Sequence, residues 1–261
     1  MIPYLFNIGP LNFNLYGFFI AIGLLVFLWS VNKDLLTKKY LKPDQLTNIT
    51  FICTIAGIIG GRILNIIQNF EYYTSAFDMI AIWNGGLSLQ GSIIAIATTL
   101  PLYLKYIHVQ IMPILDLGGL YAPLLQSISR LGCLCAGCCH GCPTNLPWAI
   151  TYTHPDSYAI LNVACHPTQI YSSLSLLILF FLLRFVFRPY LRKPGQLVSA
   201  YLIGSSLERI LNDFFRAEHY EMITPYFWNF SSSQMIALCL LITGLVLLVI
   251  TSSAKTKPYP V

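Results

Sequence analysis

Thiols are concentrated in one short segment, RLGCLCAGCCHGCPT, which runs from Arg130 to Thr144. Five cysteines and His140 fall within ten residues of it, and two consecutive Cys-x-x-Cys units, Cys135–Cys138 and Cys139–Cys142, lie there. Thiolates and imidazoles bind metals, exchange disulfides and move protons. The segment therefore indicates a metal site, a redox site or a loop that surrounds another reaction. Its cysteines, with one further along the chain, are Cys133, Cys135, Cys138, Cys139, Cys142 and Cys165.

Four arginines lie apart from the basic residues of the loops: Arg62, Arg130, Arg209 and Arg216. A charge inside an apolar span costs at least about 2.5–3.5 kcal/mol, so such residues are kept for a partner. Asp213 is four residues from Arg209 and three from Arg216, which allows ion pairs on one helix face. Arg62 and Arg130 have no carboxylate within a helical turn. A guanidinium binds two phosphate oxygens at once, so the set predicts an anion site, with a phospholipid head group as the obvious anion.

The composition indicates the kind of protein that must position these groups. The 261 residues are 56% hydrophobic and only 10% charged, and the mean hydropathy is +0.67. Soluble domains carry roughly 25% charged residues, so a polytopic membrane protein is expected. The net charge of +5 is scattered over several loops, which argues against nucleic-acid binding. The first apolar run has no basic segment or cleavage site before it, so we expect it to remain as a span.

Seven apolar stretches are long enough to cross about 30 Å of hydrocarbon, which takes roughly 20 residues. They predict an all-α polytopic integral membrane protein with about seven transmembrane helices, forming a single domain over residues 1–261. The fourth stretch is the least apolar because it contains Asp116 and Pro123. The predicted spans are Tyr16–Asn32, Leu46–Asn69, Met79–Leu104, Met112–Leu131, Thr168–Phe187, Gln196–Phe215 and Ser233–Ile250.

The basic residues predict the orientation of these spans. Eleven of the 15 lysines and arginines fall on one side of a seven-span arrangement, and the positive-inside rule places that side in the cytoplasm. The N-terminus is then outside and the C-terminus inside, and the Cys-rich loop, about residues 132–166, is outside. The eleven residues are Lys33, Lys38, Lys39, Lys42, Lys105, Arg184, Arg188, Arg192, Lys193, Lys255 and Lys257.

Four interpretations of the cysteines remain open. Outward-facing thiols tend to oxidise, which favours a structural disulfide; free cysteine also serves as small apolar packing. The spacing suits zinc, although adjacent Cys138 and Cys139 are not expected to bind one ion with good geometry. Thiol exchange is the fourth interpretation. We expect a rigid outer loop around the anion site.

Other polar residues are placed to share that site. Arg62, Asn65 and Asn69 lie on one face of the second span, behind a Gly-Gly pair that allows a close approach. Gln90 lies among glycines in the third span. Tyr16 is at the beginning of the first span, where an aromatic residue also suits the membrane interface.

The beginning of the fifth span carries a further polar cluster. His166 and Gln169 lie about one turn apart, and Pro167 suits the first turn of a helix. A lone histidine at a span boundary is more often an interfacial anchor. The neighbouring Gln169 and Tyr171 favour a functional cluster instead.

With these motifs in place, the chain resembles the prolipoprotein diacylglyceryl transferases over nearly its whole length. Each motif alone is weak evidence for the family, but six motifs in the right order on a seven-span chain are strong evidence. The family's seven membrane helices and external N-terminus agree with the charge pattern. The motifs are Tyr16-Gly17, Gly60-Gly61-Arg62, Gly-Gly-Leu-Ser from Gly85, Arg130-x-Gly132 through Gly141, His-Pro-x-Gln-x-Tyr from His166 to Tyr171, and Arg209 with Asp213 followed by Phe-Phe-Arg.

The resemblance implies a reaction in the bacterial plasma membrane. The diacylglyceryl group of phosphatidylglycerol moves to the thiol of a lipobox cysteine in a secreted prolipoprotein, and glycerol phosphate leaves. No metal or cofactor is required, and the nucleophile belongs to the substrate. The resemblance assigns the phospholipid contacts to Arg130, Arg62, Tyr16, Gln90, Gly132, Gly141 and Gln169, and the catalytic roles to His140, His166, Arg209 and Asp213.

The chain departs from the family where protons are transferred. The family usually has histidine, a candidate base, at the position of Gln90, and an amide accepts no proton usefully near neutral pH. The residues expected to bind the phosphate match the family's motifs, whereas those expected to transfer the proton differ from them. The other departures are Cys133 for asparagine, Cys138 for glutamate, His140 for an aromatic residue, Ser172 for glutamate, and Asp213 for glutamate.

Two histidines could replace the missing base. We favour His140 over His166, because His140 lies in the loop that begins with Arg130, and because His166 begins a helix, where the dipole disfavours a positive charge. Two rival functions remain: a membrane thiol-redox or metal-handling protein that works through the cysteines, and a non-catalytic lipid-binding paralogue on the same scaffold.

Overall fold

The computed structural model describes residues 4–8, 11–73, 75–81, 86–216, 232–254 and 259. In chain order the elements are β1 (Tyr4–Ile8), β2 (Leu11–Asn14), α1 (Leu15–Lys33), α2 (Leu35–Tyr40), α3 (Pro43–Gln68), α4 (Ala76–Ile80), α5 (Leu89–Tyr106), α6 (Ile111–Ala136), β3 (Ile150–Thr151), β4 (Ala164–Cys165), α7 (Thr168–Phe181), α8 (Gln196–Asp213) and α9 (Ser232–Ser253). A π-helical stretch, Leu182–Phe187, continues α7. The predicted helical class is confirmed, and two short antiparallel ribbons, β1–β2 and β3–β4, are added to it.

Five helices among the described residues are long and apolar enough to cross a membrane. They are α1, α3, α6, α7 with its π-helical continuation, and α9. Helices also occur at the third and sixth predicted spans, as α5 and α8, but neither is among these five. The chain is therefore a membrane protein by the length and apolarity of its helices.

Two predicted span boundaries are wrong. The third span was placed from Met79, but Met79 belongs to the short helix α4 and α5 begins only at Leu89. The fourth span was ended at Leu131, but α6 continues to Ala136. Cys133 and Cys135 therefore lie on the last turn of a helix, and the loop that follows begins at Gly137.

The chain divides into two compact units, one of Met1–Lys33 with Leu115–Val261 and one of Asp34–Ile114. The single membrane-embedded domain predicted for residues 1–261 stays a prediction. In the second unit α3 packs closely on α5. A Cβ on Gly60 would lie 2.7 Å from the carbonyl oxygen of Gly91, and Ser92 Oγ donates to the carbonyl of Gly57 at 2.7 Å. The expectation that the Gly-Gly pair admits another helix is thus confirmed.

Small residues also bring the helices of the first unit together. A Cβ on Gly132 of α6 would lie 3.1 Å from Tyr16 Cα, so α1 crosses α6 at that point. Ser127 of α6 donates to the carbonyl of Ser173 of α7 at 2.8 Å, and Ser173 Oγ donates back to the carbonyl of Ser127 at 2.9 Å. Such hydrogen bonds between apolar helices fix their register.

The N-terminal end of α8 is held by one buried carboxylate. Asp116 is 0% exposed and accepts the N–H groups of Gly195 at 2.7 Å and Val198 at 2.8 Å. It also accepts the hydroxyl of Tyr259 at 2.7 Å. The first N–H groups of a helix have no partner within the helix and carry a partial positive charge, so an anion placed here stabilises α8.

Candidate functional site

The opposite end of α8 gathers charges of both signs. Asp213 Oδ1 lies 3.8 Å from Nη2 of Arg209 and 4.0 Å from Nε of Arg216. It also accepts the hydroxyl of Ser233, at the beginning of α9, at 2.9 Å. Asp213 is 2% exposed, whereas Arg209 remains half-buried. The i,i+4 and i,i+3 pairs expected from the spacing are confirmed, and Asp213 orients both guanidinium groups.

A third guanidinium joins this cluster from α6. Arg209 lies within electrostatic range of Arg216 and Arg130. Arg130 in turn lies within range of Glu208 and Cys139. Among the described residues, the three arginines therefore lie near two carboxylates, Asp213 and Glu208, and the Cys139 thiol. The predicted convergence is confirmed for Arg130, Arg209 and Arg216.

Gly141 is the point at which three segments meet. Its N–H donates to the carbonyl of His166 at 3.0 Å, and it forms a β-bridge with Arg216. A Cβ at Gly141 would lie 2.5 Å from His166 Cβ and 2.6 Å from the carbonyl oxygen of Phe215. Only glycine allows the Cys-rich loop to pass between α7 and the end of α8 at this distance. The observed role of Gly141 is this close approach, and the phospholipid contact predicted for it stays a prediction.

The first turn of α7 holds the Cys-rich turn by its carbonyl groups. Thr168 Oγ1 donates to the carbonyl of Cys139 at 2.6 Å, and Gln169 Nε2 donates to that of Cys138 at 2.8 Å. Gln169 also donates to the hydroxyl of Tyr152 at 3.2 Å, and burial raises the pKa of Tyr152 to about 12, so the phenol stays neutral. Gln169 Oε1 is buried without a partner among the described residues. The main observed role of Gln169 is therefore to position the loop. Its side-chain oxygen is the atom that remains to accept a hydrogen bond from a ligand.

Three thiols converge beside Arg130. The Sγ atoms of Cys133, Cys138 and Cys139 all lie within 4.8 Å of one another. Cys139 adopts a left-handed backbone with φ of 60°, directly after Gly137 at φ 77° and Cys138. This turn directs the thiols of consecutive residues to the same side. Adjacent Cys138 and Cys139 thus bring their thiols to one point, and whether both can bind one ion with good geometry stays a prediction. All eight cysteines of the chain are described, and all are free thiols.

Hydrogen bonding shifts the pKa values of the two adjacent thiols, Cys138 and Cys139, in opposite directions. Hydrogen bonds from Cys133 and Cys138 lower the pKa of the Cys139 thiol, and the charges of Arg216 and Arg130 lower it further, against the opposing effect of burial. Hydrogen bonds to Cys133 and Cys139, together with burial, raise the pKa of Cys138. These surroundings therefore favour the thiolate form at Cys139, on the side of the arginines, over the thiolate form at Cys138.

The two candidate histidines flank Gly141 in different surroundings. His140 Nε2 is buried and has no hydrogen-bond partner among the described residues. His166 Nδ1 lies 3.3 Å from the hydroxyl of Tyr171, and its ring packs against Phe215 with centroids 5.5 Å apart. His166 is therefore held by aromatic neighbours, whereas His140 has a nitrogen still to be satisfied. Tyr16, also predicted at the site, lies within electrostatic range of the three thiols and Arg130.

The second unit contains the other two predicted residues, Arg62 and Gln90. Four N–H groups of Arg62 donate to backbone carbonyls between residues 78 and 86 at 2.5 to 3.2 Å, and its guanidinium lies 5.1 Å from the ring centroid of Tyr73. A guanidinium has five N–H donors, and this arginine uses four of them to join the backbone carbonyls of residues 78, 79, 81 and 86. Gln90 is exposed on α5. The phospholipid contacts predicted for Arg62 and Gln90 stay predictions.

Comparison with known proteins agrees with the resemblance that the motifs suggested. Residues 3–250 match the model of the family described as prolipoprotein diacylglyceryl transferase. A phosphatidylglycerol–prolipoprotein diacylglyceryl transferase of Clostridium tetani is 32% identical over 246 residues, covering 94% of this chain and 96% of its own. The enzyme of the same name from Thermotoga maritima is 29% identical over 97% of this chain and 86% of its own, and that from Rhodospirillum rubrum is 28% identical over 99% and 95%.

The chain belongs to the prolipoprotein diacylglyceryl transferase family.

Within this family member, two of the departures noted from the sequence meet in space. Cys133 and Cys138 stand where the family usually has asparagine and glutamate, and they form the sulfur cluster with Cys139. A third departure, Ser172, is 0% exposed with an Oγ that has no partner among the described residues. Two of these departures, Cys133 and Cys138, therefore lie together beside Arg130.

Some residues of the site give little sign of their role in the sequence. Thr168, Tyr152 and Ser233 hold the site through contacts 17 to 29 residues away along the chain. Thr168 could have been singled out because it stands inside the His-Pro-x-Gln motif. Tyr152 and Ser233 stand in no motif, and only the folded chain brings them to their partners.

Proposed function

We propose that the chain transfers the diacylglyceryl group of phosphatidylglycerol to the thiol of a lipobox cysteine in a prolipoprotein. One observation carries the proposal: a partly buried, arginine-rich cluster lies at the end of α8 in a chain that belongs to this family. A phosphodiester is the anion that a forked guanidinium site suits best. The names of the related enzymes support the same reaction.

The arginine cluster acts on the leaving group. The sulfur of the acceptor forms a bond to the terminal carbon of the diacylglyceryl group, and the carbon–oxygen bond to the phosphate breaks. Glycerol phosphate leaves with the electron pair of that bond, so negative charge grows on its oxygen. Arg209 and Arg130 stabilise this charge, and Asp213 keeps Arg209 oriented at 3.8 Å. The donor phosphate is already anionic, so its departure needs cations and no proton.

The acceptor thiol has to lose its proton, because a neutral thiol is a poor nucleophile. The acceptor expected from the sequence is His140 or His166, and both flank Gly141 next to Arg216. Substitution of each histidine by glutamine tests this role. A fall in the transfer rate for one variant, with the other near wild type, identifies the base, and near wild-type rates for both contradict it.

We also propose seven spans, with the N-terminus outside and the C-terminus in the cytoplasm, in the bacterial plasma membrane. The basic loops support this orientation through the positive-inside rule. It puts the arginine cluster and the cysteines on the outer side, where a secreted prolipoprotein arrives. A reporter fused after Lys193 should give a cytoplasmic signal, and one inserted near Ser157 an external signal. Exchanged signals contradict the orientation.

Complementation tests the proposed function. A bacterial strain depleted of its own diacylglyceryl transferase should grow when this chain is expressed, and its prolipoproteins should gain a diacylglyceryl group detectable by mass. The Arg209→Ala variant should be present in the membrane and fail to complement. The proposal is contradicted if the wild-type chain is expressed and folded at normal levels but neither complements the strain nor adds lipid to a lipobox peptide in vitro. That result favours a non-catalytic lipid-binding protein.

A further inference from the structure

Three thiols meet where the last turn of α6 passes into the Cys-rich loop. The sulfurs of Cys133, Cys138 and Cys139 all lie within 4.8 Å of one another. Thr168 and Gln169 hold the carbonyls behind two of these thiols at 2.6 and 2.8 Å, so the sulfurs stand on a fixed backbone. We propose that the three thiolates bind one zinc ion, with a fourth position left for the acceptor thiol.

The positions of the sulfurs suit this ion. Zinc–sulfur bonds of about 2.3 Å place the sulfurs of a tetrahedral site about 3.8 Å apart. The observed upper limit of 4.8 Å means that the sulfurs close by at most about 1 Å. The left-handed backbone at Cys139 brings two consecutive thiols to one point, and non-glycine residues rarely adopt it. Strained backbone of this kind is common at ligand sites.

Neighbouring arginines compensate the negative charge that such a zinc site would carry. Three thiolates around a divalent cation carry one net negative charge, which is costly in a partly buried position unless it is paired. Arg130 and Arg216 both lie within electrostatic range of Cys139. The same arginines that face the donor phosphate therefore neutralise the metal centre.

The number of ligands indicates what the ion does. Among the described residues, no histidine nitrogen or carboxylate oxygen joins the three sulfurs in this group. Structural zinc sites have four protein ligands, whereas catalytic sites have three and an open position. The open position lies beside Arg130, where the proposed function brings the donor lipid and the acceptor thiol together.

The chemistry of the open position rests on the proposed function. A thiol that binds a zinc ion is deprotonated outright, and its proton is released to water. The bound sulfur then forms the carbon–sulfur bond while the carbon–oxygen bond breaks, and glycerol phosphate leaves toward the arginines. This route replaces the histidine base of the proposed function, because a metal-bound thiol needs no such base, and it is compatible with Gln90 at the position where the family usually has histidine. It also explains why Cys133 and Cys138 replace asparagine and glutamate in the same chain.

Metal binding can be measured without any transfer assay. The full chain, purified in detergent under reducing conditions, should hold one zinc ion per chain. Cobalt exchanged into the site should give the visible d–d absorption of a tetrahedral thiolate centre. Cys133→Ser, Cys138→Ser and Cys139→Ser should each lose at least half of the bound metal. Cys135→Ser, on the same helical turn but outside the sulfur group, should keep it.

Adding a lipobox peptide tests the open position. The cobalt spectrum should change with the cysteine peptide and not with its serine counterpart. Dialysis against a chelator should abolish transfer by the wild-type chain, and zinc should restore it, which avoids any doubt about the folding of a variant.

Two results overturn the inference and leave the proposed function intact: a reduced chain without stoichiometric metal that still transfers lipid, or a disulfide among the three cysteines in the active protein. A chain that binds metal through these cysteines but transfers no lipid overturns the proposed function instead, and with it the role of the open position.

Discussion

The two ends of α8 are both polar and buried, yet they are built differently. At the N-terminal end one carboxylate, Asp116, accepts from Gly195, Val198 and Tyr259 at 2.7 to 2.8 Å. At the C-terminal end Asp213 faces Arg209 and Arg216 at 3.8 and 4.0 Å, with Arg130 in electrostatic range. The first end has a carboxylate that accepts from a helix terminus, and the second has arginines from two helices gathered around a carboxylate that also accepts from Ser233 at 2.9 Å.

This difference separates a polar cluster that stabilises the fold from one that is prepared for a ligand. A buried charge is retained for structure when short hydrogen bonds compensate it. Arginines gathered at one point repel one another, as Arg216 and Arg130 do Arg209, and an anionic ligand placed among them relieves this repulsion. The comparison predicts that substitutions at the Asp116 end change stability and that substitutions at the Arg209 end change transfer.

The largest effect is expected from Arg209→Lys. Lysine keeps the charge but loses the fork that binds two phosphate oxygens, so the transfer rate should fall on the order of a thousandfold, as for removal of an oxyanion donor. The temperature of unfolding in detergent should not change. Arg184→Lys, in the π-helical continuation of α7, is the matched control and should transfer at the wild-type rate. A mild effect of Arg209→Lys would mean that charge alone suffices at this end.

Asp116→Asn should show the opposite pattern. The amide places a donor against a backbone N–H or the Tyr259 hydroxyl and removes the charge that faces the N-terminus of α8, which costs about 3 kcal/mol. Thermal unfolding in detergent should report this loss of stability. Transfer per folded molecule, measured below the unfolding transition, should stay within about twofold of wild type. A large loss of transfer at unchanged stability would break the comparison.

Gly141→Ala should lower transfer moderately. The added methyl group meets His166 Cβ at 2.5 Å and the carbonyl of Phe215 at 2.6 Å, so the loop must move away from Arg216. We expect about a tenfold lower transfer rate, equivalent to about 1.4 kcal/mol. Gly118→Ala, where a Cβ meets nothing within 4 Å, is the control and should behave as wild type. Equal rates for both variants would show that this close approach does not position the site.

The smallest effect is expected from Tyr259→Phe. The variant removes the side-chain hydrogen bond to Asp116 and leaves those from the backbone, so stability should fall by about 1 kcal/mol. Transfer should not change. The unfolding temperature of this variant should lie between those of wild type and Asp116→Asn, and a value below that of Asp116→Asn would contradict the assigned hydrogen bonds.

The C-terminal end of α8 could be predicted from the sequence because its contacts are local. Arg209, Asp213 and Arg216 are three and four residues apart, and a helix brings such residues together whatever surrounds them. The N-terminal end could not be predicted. Asp116 is 79 residues from Gly195 and 143 from Tyr259, and its main partners are backbone N–H groups, which no residue type signals.

The same distinction explains two other outcomes. The phosphate contact of Arg62 stays a prediction, and its observed partners are backbone carbonyls between residues 78 and 86, which leave no trace in the residue pattern. The convergence of Cys138 and Cys139 depends on a left-handed φ at a cysteine, a conformation that sequence normally signals with glycine. Spacing alone therefore argued against a site that the backbone permits.

The most direct test is transfer by the purified chain in vesicles with phosphatidylglycerol as the only donor and a lipobox peptide as the acceptor. Wild type should add one diacylglyceryl group to the peptide, seen as a mass increase, and release one glycerol phosphate for each. Arg209→Ala should do neither while unfolding at the wild-type temperature. Near wild-type transfer by Arg209→Ala would contradict the assignment of the arginine end of α8 as the phosphate site.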